Sequence, residues 1–248
     1  MISTREPRVR ARETAVECGG VSPGDVLREA WHLYKAHWQH FIPLAAIYFL
    51  VLSLVTLVLQ LLFDEVGAVA SAFVSLVGIF WLQGALVEAI ADVRDHRVDL
   101  TIGETFAKAR PHVLRLLGAG LLAALAITIG LVLLVVPGLI LLTWWSLIIP
   151  VIVLEGVRVA DAFGRSRELV RGNGWNVFAV IVLTWLVVIA ASILIGIFFV
   201  WLPVDVRGYV SNVVTNSLLV PYVAIAWTLM YYRLARRDIG IEPVPATP

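Results

Sequence analysis

Between Leu116 and Leu154 the chain runs for 39 residues without a single charge, and this run limits the possible folds more than any other feature. As one straight helix it would extend about 58 Å at ~1.5 Å per residue, nearly twice the ~30 Å of hydrocarbon in a bilayer. The run therefore has to fold back on itself. Pro137-Gly138 lies near its centre and is the expected turn, because proline lacks the amide proton of a continuing helix and glycine accepts the positive φ of a tight reversal. The expectation is a hairpin with almost no loop.

The rest of the chain is of the same kind. Hydrophobic residues make up 60% and charged residues 15%, with a mean hydropathy of +0.91, far from the balance of a soluble domain. Six segments are long and apolar enough to span a bilayer: Ile42 to Phe63, Val66 to Ala91, Val113 to Val136, Leu139 to Leu154, Val177 to Leu202 and Tyr209 to Tyr232. The expected fold is all-α, a polytopic bundle of six transmembrane helices.

Cations in short loops stay on the cytoplasmic side. Eighteen of the 19 Lys and Arg residues fall before the first span, in segments 92 to 115 and 155 to 176, or at the C-terminal end; the exception is Arg207. Both termini are therefore expected in the cytoplasm. The opposite face would carry only the turns Asp64-Glu65, Pro137-Gly138 and Pro203 to Gly208. Residues 1 to 21 are Arg-rich without an apolar core, so they read as a disordered tail able to lie on anionic lipid. Residues 22 to 235 form the membrane domain, and 236 to 248 a second cytoplasmic tail. Cys18 is the single cysteine, which leaves no internal disulfide. The preponderance of Arg over Lys suggests a bacterial source with a GC-rich genome.

The three long charged segments share a pattern. An acidic residue is followed two positions later by Leu or Phe and then, three further on, by Ala or Ser: Asp25, Leu27, Ala30; Glu104, Phe106, Ala109; Asp161, Phe163, Ser166. Each precedes two spans, so the chain reads as three hairpins, each preceded by a cytoplasmic amphipathic helix in the membrane interface. In the first copy Leu27, Ala30, Trp31, Tyr34, Trp38 and Phe41 fall on one face at helical spacing. Ser22 with Pro23 reads as its N-terminus, and Thr101 with Glu104 as a capping box for the second copy. Glu155-Gly156 marks the break before the third. Trp38 and Trp175 stand where amphipathic and spanning helices meet, as anchors at headgroup depth. Arg165, Arg167 and Arg171 are within reach of lipid phosphates, or form a solvated positive-inside face with Asp161 and Glu168 as partners.

The run PGLILLTWWSLIIPVIVLEGVRVADAFGRSRELVRGNGWNVF resembles the signature of the glycerophosphoryl diester phosphodiesterase membrane domain family, six-span bacterial integral membrane proteins. The matching residues are Pro137-Gly138, Trp144 or Trp145, Pro150, Glu155, Ala162, Ser166, Leu169, Arg171-Gly172-Asn173, Trp175 and Phe178. In some members this domain is joined to a catalytic barrel. His96-Arg97 is followed by Val98, so the His-Arg-Gly opening of that barrel's motif is missing, and the resemblance implies the membrane part alone, without hydrolysis.

Polar groups at bilayer depth are the remaining candidates, since they are costly there. Glu88 and Glu155 lie at the ends of the second and fourth spans, as ion sites or as ion-paired structural groups. Asn212 and Asn216, one turn apart with Thr215 and Ser217 beside them, either line a path or bond between helices. Gly67, Ser71 and Ser75 form a small stripe that reads as helix packing. His37 and His40 lack further ligands for a metal. No catalytic, cofactor-binding or nucleic-acid motif is present. The function expected is a non-catalytic membrane module that binds lipid or a partner protein. The alternative is a small transporter or lipid translocator built from repeated hairpins.

Overall fold

A computed structural model describes residues 22–95 and 100–238. The tail expected at 1 to 21, residues 239 to 248 of the tail expected at 236 to 248, Cys18 and the His96-Arg97-Val98 step lie outside the described residues. These residues contain helices and no strand. In order they are α1 (Pro23–Ala36), α2 (Trp38–Arg94), α3 (Ile102–Ala109), α4 (Val113–Leu133), α5 (Val135–Trp144), α6 (Ile148–Glu155), α7 (Val159–Val170), α8 (Gly174–Phe198) and α9 (Val204–Asp238). Five helical stretches are long and apolar enough to cross a membrane: Trp38–Arg94, Ile102–Leu133, Val135–Glu155, Gly174–Trp201 and Val206–Asp238. The chain is a multi-pass helical membrane protein.

α2 is folded back at Asp64, whose φ of 45° and ψ of −119° interrupt the helix. Ser71 Oγ consequently donates to Thr56 O at 3.3 Å, although the two are 15 residues apart. At Gly67 a Cβ would collide with the Leu59 carbonyl, so the absent side chain is what lets the two arms close.

The second hairpin turns elsewhere than expected. Leu134 is the extended residue (φ −156°, ψ 125°), and Pro137 and Gly138 already belong to the first turns of α5. Proline costs nothing there, because the first N–H groups of a helix have no intrahelical acceptor. Gly138 serves proximity rather than turning: a Cβ on it would stand 2.5 Å from Leu131 Cγ, and one on Gly130 would stand 3.1 Å from Gly138 Cα. The segment Leu139 to Leu154 is also not one helix. It breaks at residues 145–147 between α5 and α6, and α6 ends at Gly156 (φ 67°), the break expected from the sequence.

The short helices α1, α3 and α7 are held against the bundle. Thr101 and Glu104 form the capping box of α3, with Glu104 N donating to Thr101 Oγ1 and Thr101 N to Glu104 Oε2. α1 has Pro23 in its first turn but no side-chain bond from Ser22. Its buried face is Val26, Ala30 and Tyr34, rotated from the expected one, and Trp31 is exposed. His37 separates it from α2, so Trp38 and Phe41 belong to the next helix. α7 ends at Val170, before Gly172 (φ 83°), and buries Ala162, Ser166, Leu169 and Val170. α9 begins at Val204 rather than after a loop to Gly208, and continues to Asp238.

Two apolar clusters form the core. One gathers α6, α7, α8 and the end of α9 around Val151, Ile152 and Met230; the other joins α1, α2 and α9 around Phe41, Leu86 and Leu229. Trp227 packs on both. α9 is thus the shared element, and what lies along it decides what the bundle can bind.

Candidate functional site

Two polar constellations lie along α9. The first ties helix ends together. Arg165 Nε donates to both Glu155 oxygens at 3.2 and 3.1 Å, Tyr231 Oη donates to Glu155 Oε1 at 2.9 Å, and Arg165 Nη1 reaches Asp238 Oδ2 at 2.7 Å. Glu168 stands 3.8 Å from the same guanidinium. The bond to Asp238, seconded by Glu155, holds Arg165 above its ordinary pKa. Ser166 Oγ donates to Trp144 O at 2.7 Å, and Arg115 Nη1 to Gly156 O at 2.9 Å. These bonds join the loose ends of α4, α5, α6, α7 and α9.

The arginines expected at lipid headgroups are therefore unequal. Arg165 is engaged by carboxylates, and the Arg167 guanidinium lies 4.3 Å above the Trp144 ring. Arg171 is exposed just after α7. Trp38 and Trp175 point outward, 50% and 82% exposed. Glu88 is half-buried near Lys108 and His112, while Arg94 stacks on Tyr232. Glu155 belongs to the helix-end cluster. Among the described residues no group of three or more His, Cys, Asp or Glu side chains could hold a metal.

The second constellation is a cleft between α8 and α9, floored by α2 and α6. Its inner part is a cavity of about 280 Å³, walled mainly by Val87, Pro150, Trp185, Val188, Val220 and Val223. Its outer part, about 360 Å³, is lined by Arg207, Ser211 and Asn212 on α9 and by Gly196 on α8. Ser192, Thr215 and Asn216 border both parts, so the two form one cleft with an apolar end and a polar, cationic end.

The helical period accounts for this polarity. Arg207, Ser211 and Thr215 succeed one another every four residues on one ridge of α9, with Gly208, Asn212 and Asn216 on the next. Asn216 Nδ2 donates to Asn212 O at 2.9 Å and to Asn212 Oδ1 at 3.0 Å. The pair is bonded along its own helix, leaving one amide oxygen and one amide nitrogen for other groups.

The inner walls hold groups that the sequence reading passed over. Gln83 Oε1, Thr184 Oγ1, Trp227 Nε1 and Thr228 Oγ1 are buried without a hydrogen-bond partner, and all four residues wall the inner cavity. Helical Ser and Thr normally satisfy themselves on the preceding turn, as Ser192 does on Val188 O and Thr143 on Leu139 O. Thr184 and Thr228, only 2% and 0% exposed, do not. No spacing in the sequence links these four polar groups; only the assembly of α2, α8 and α9 brings them together.

The chain matches no protein-family model, no curated protein and no solved structure. Fold and cleft together define a class, the multi-pass α-helical membrane proteins with an amphipathic cleft between their helices.

Proposed function

We propose that this chain is a non-catalytic module of the bacterial cytoplasmic membrane whose work is to bind lipid. In this reading it crosses the membrane six times as three hairpins, with both termini and the three amphipathic helices on the cytoplasmic side. The reversal of α2 at Asp64 supports the six crossings, and the clustering of cations supports the orientation. The likeness of Pro137 to Phe178 to the phosphodiesterase membrane domain family agrees with a membrane part that acts without a hydrolase.

The observation that carries the lipid reading is the cleft, whose inner end is apolar and whose outer end is polar. A bilayer offers amphiphiles of that pattern at very high local concentration. Trp38, Trp175 and Arg171 would fix the depth of the bundle rather than select a ligand. The test is to extract the chain with its native lipids, exchange it into detergent and identify what remains bound. Lipid retained in a fixed ratio supports the reading, a stoichiometric protein partner would make it an accessory subunit, and a lipid-free chain would sink it.

A second reading, a small transporter or lipid translocator, draws on a different observation. The α5 to α6 stretch is broken in mid-span, and Pro150 of its second half walls the cleft. Interrupted helices beside a central site are common in transporters. Reconstituted vesicles that scramble a labelled lipid faster than protein-free ones would favour it.

A further inference from the structure

The polar end of the cleft narrows the choice of lipid, on the reading above that the cleft is a lipid site. Among the described residues lining either part of it, Arg207 is the one cation and none is Asp or Glu. Beside Arg207 stand the Ser211 hydroxyl and the Asn212 amide, whose nitrogen bonds to none of the described residues. A guanidinium flanked by neutral donors is the arrangement that recognises a phosphate oxygen. From there the cleft leads to an apolar cavity, which takes no headgroup but accepts a hydrocarbon chain.

The glycines add a second point. A Cβ at Gly196 or Gly208 would meet nothing within 4 Å, so these are not glycines of close helix contact, as Gly138 is. They border the outer part of the cleft and leave it wide.

We infer that the cleft is a binding site for one anionic phospholipid of the leaflet opposite the cytoplasm, its phosphate on Arg207, Ser211 and Asn212 and one acyl chain in the cavity beside Pro150 and Trp185. The direction fits a lipid in place, with the headgroup at the membrane surface and the chain running toward the bilayer centre. Diacyl phosphatidylglycerol has the required charge; phosphatidylcholine has the same phosphate but a compensating ammonium group.

The experiment is native mass spectrometry of the full chain in detergent, titrated separately with phosphatidylglycerol and phosphatidylcholine. The wild type is expected to take up one phosphatidylglycerol at least tenfold more tightly than phosphatidylcholine. Arg207→Gln is expected to erase that preference, Gly196→Phe to fill the outer cleft and abolish the stoichiometric adduct, and Arg110→Gln to change neither. Equal uptake of both lipids by the wild type, with loss of both in Gly196→Phe, would overturn the anionic assignment while leaving the lipid site standing. Uptake that ignores Gly196→Phe overturns the cleft as the site, and absence of any stoichiometric adduct in the wild type overturns both readings. Because Arg207→Gln retains a polar side chain at the rim of the cleft, it keeps the test decisive should the phenylalanine variant misfold.

Discussion

Ser166 Oγ donates to the carbonyl oxygen of Trp144 at 2.7 Å, so a side chain from α7 caps the interrupted C-terminus of α5. The last carbonyls of a helix have no intrahelical donor, and in an apolar bundle no water replaces it. Ser166 is fully buried. Ser166→Ala is therefore expected to cost about 1–3 kcal/mol by orphaning that carbonyl, read as a lowered denaturation midpoint in detergent. A midpoint equal to the wild type would mean that the α5 break is satisfied some other way.

Glu155 collects Tyr231 and Arg165 from two other helices. Tyr231→Phe removes one bond and is expected to cost about 0.5–1.5 kcal/mol. Glu155→Leu should cost more, because it also releases Arg165 from its shared position between Glu155 and Asp238. Unfolding curves of the two variants give the order, and the reverse order would remove Glu155 from the centre of the cluster.

Gly138 and Gly118 make a controlled pair on one hairpin. A Cβ at Gly138 would lie 2.6 Å from the Leu131 amide nitrogen, backbone that cannot swing aside, whereas one at Gly118 meets only Val159 Cγ2 at 3.9 Å. Gly138→Ala is expected to destabilise by about 1–3 kcal/mol through overpacking. Gly118→Ala should be neutral or stabilising by about 0.5–1 kcal/mol from helix propensity. Thermal scans of both variants decide it.

Thr184→Val and Thr228→Val test whether polarity in the cleft wall serves stability. Each exchange removes a buried hydroxyl that has no partner and keeps the shape. Stability is expected to hold or rise, by up to about 1–3 kcal/mol, and lipid retention to hold, since an acyl chain needs no hydroxyl in the wall. A marked loss of stability would mean that these hydroxyls do bond within the protein.

Tyr34 offers a pH test. Its hydroxyl donates to Leu218 O at 3.1 Å, just ahead of Pro221, and burial raises its pKa above the ordinary 10.0. A raised phenol pKa stabilises the fold fully below pH 10, and that contribution is lost as pH rises through the folded value. The wild type should exceed Tyr34→Phe by about 1 kcal/mol at neutral pH. The difference should shrink as pH rises above 10. A difference that stays constant with pH would show that Tyr34 is not shielded on α9.

What the sequence determined is what neighbours along the chain decide. Uninterrupted apolar runs fix which segments can cross a bilayer, since a helix satisfies its own backbone there. Short-range conformation fixes the Asp64 reversal, the Thr101 and Glu104 box and the stop at Gly156. Even this local logic failed at Pro137-Gly138, because proline also suits a helix start and glycine also suits a close approach; only the partner Leu131 tells the roles apart. The inward faces were not legible either. Spanning helices such as α8 are apolar all round, so no periodic contrast marks the side that meets protein. Tertiary structure alone joined Glu155 to Tyr231, Ser166 to Trp144 and Tyr34 to Leu218, and opened the cleft from Arg207 to Pro150, because each depends on which helices lie side by side.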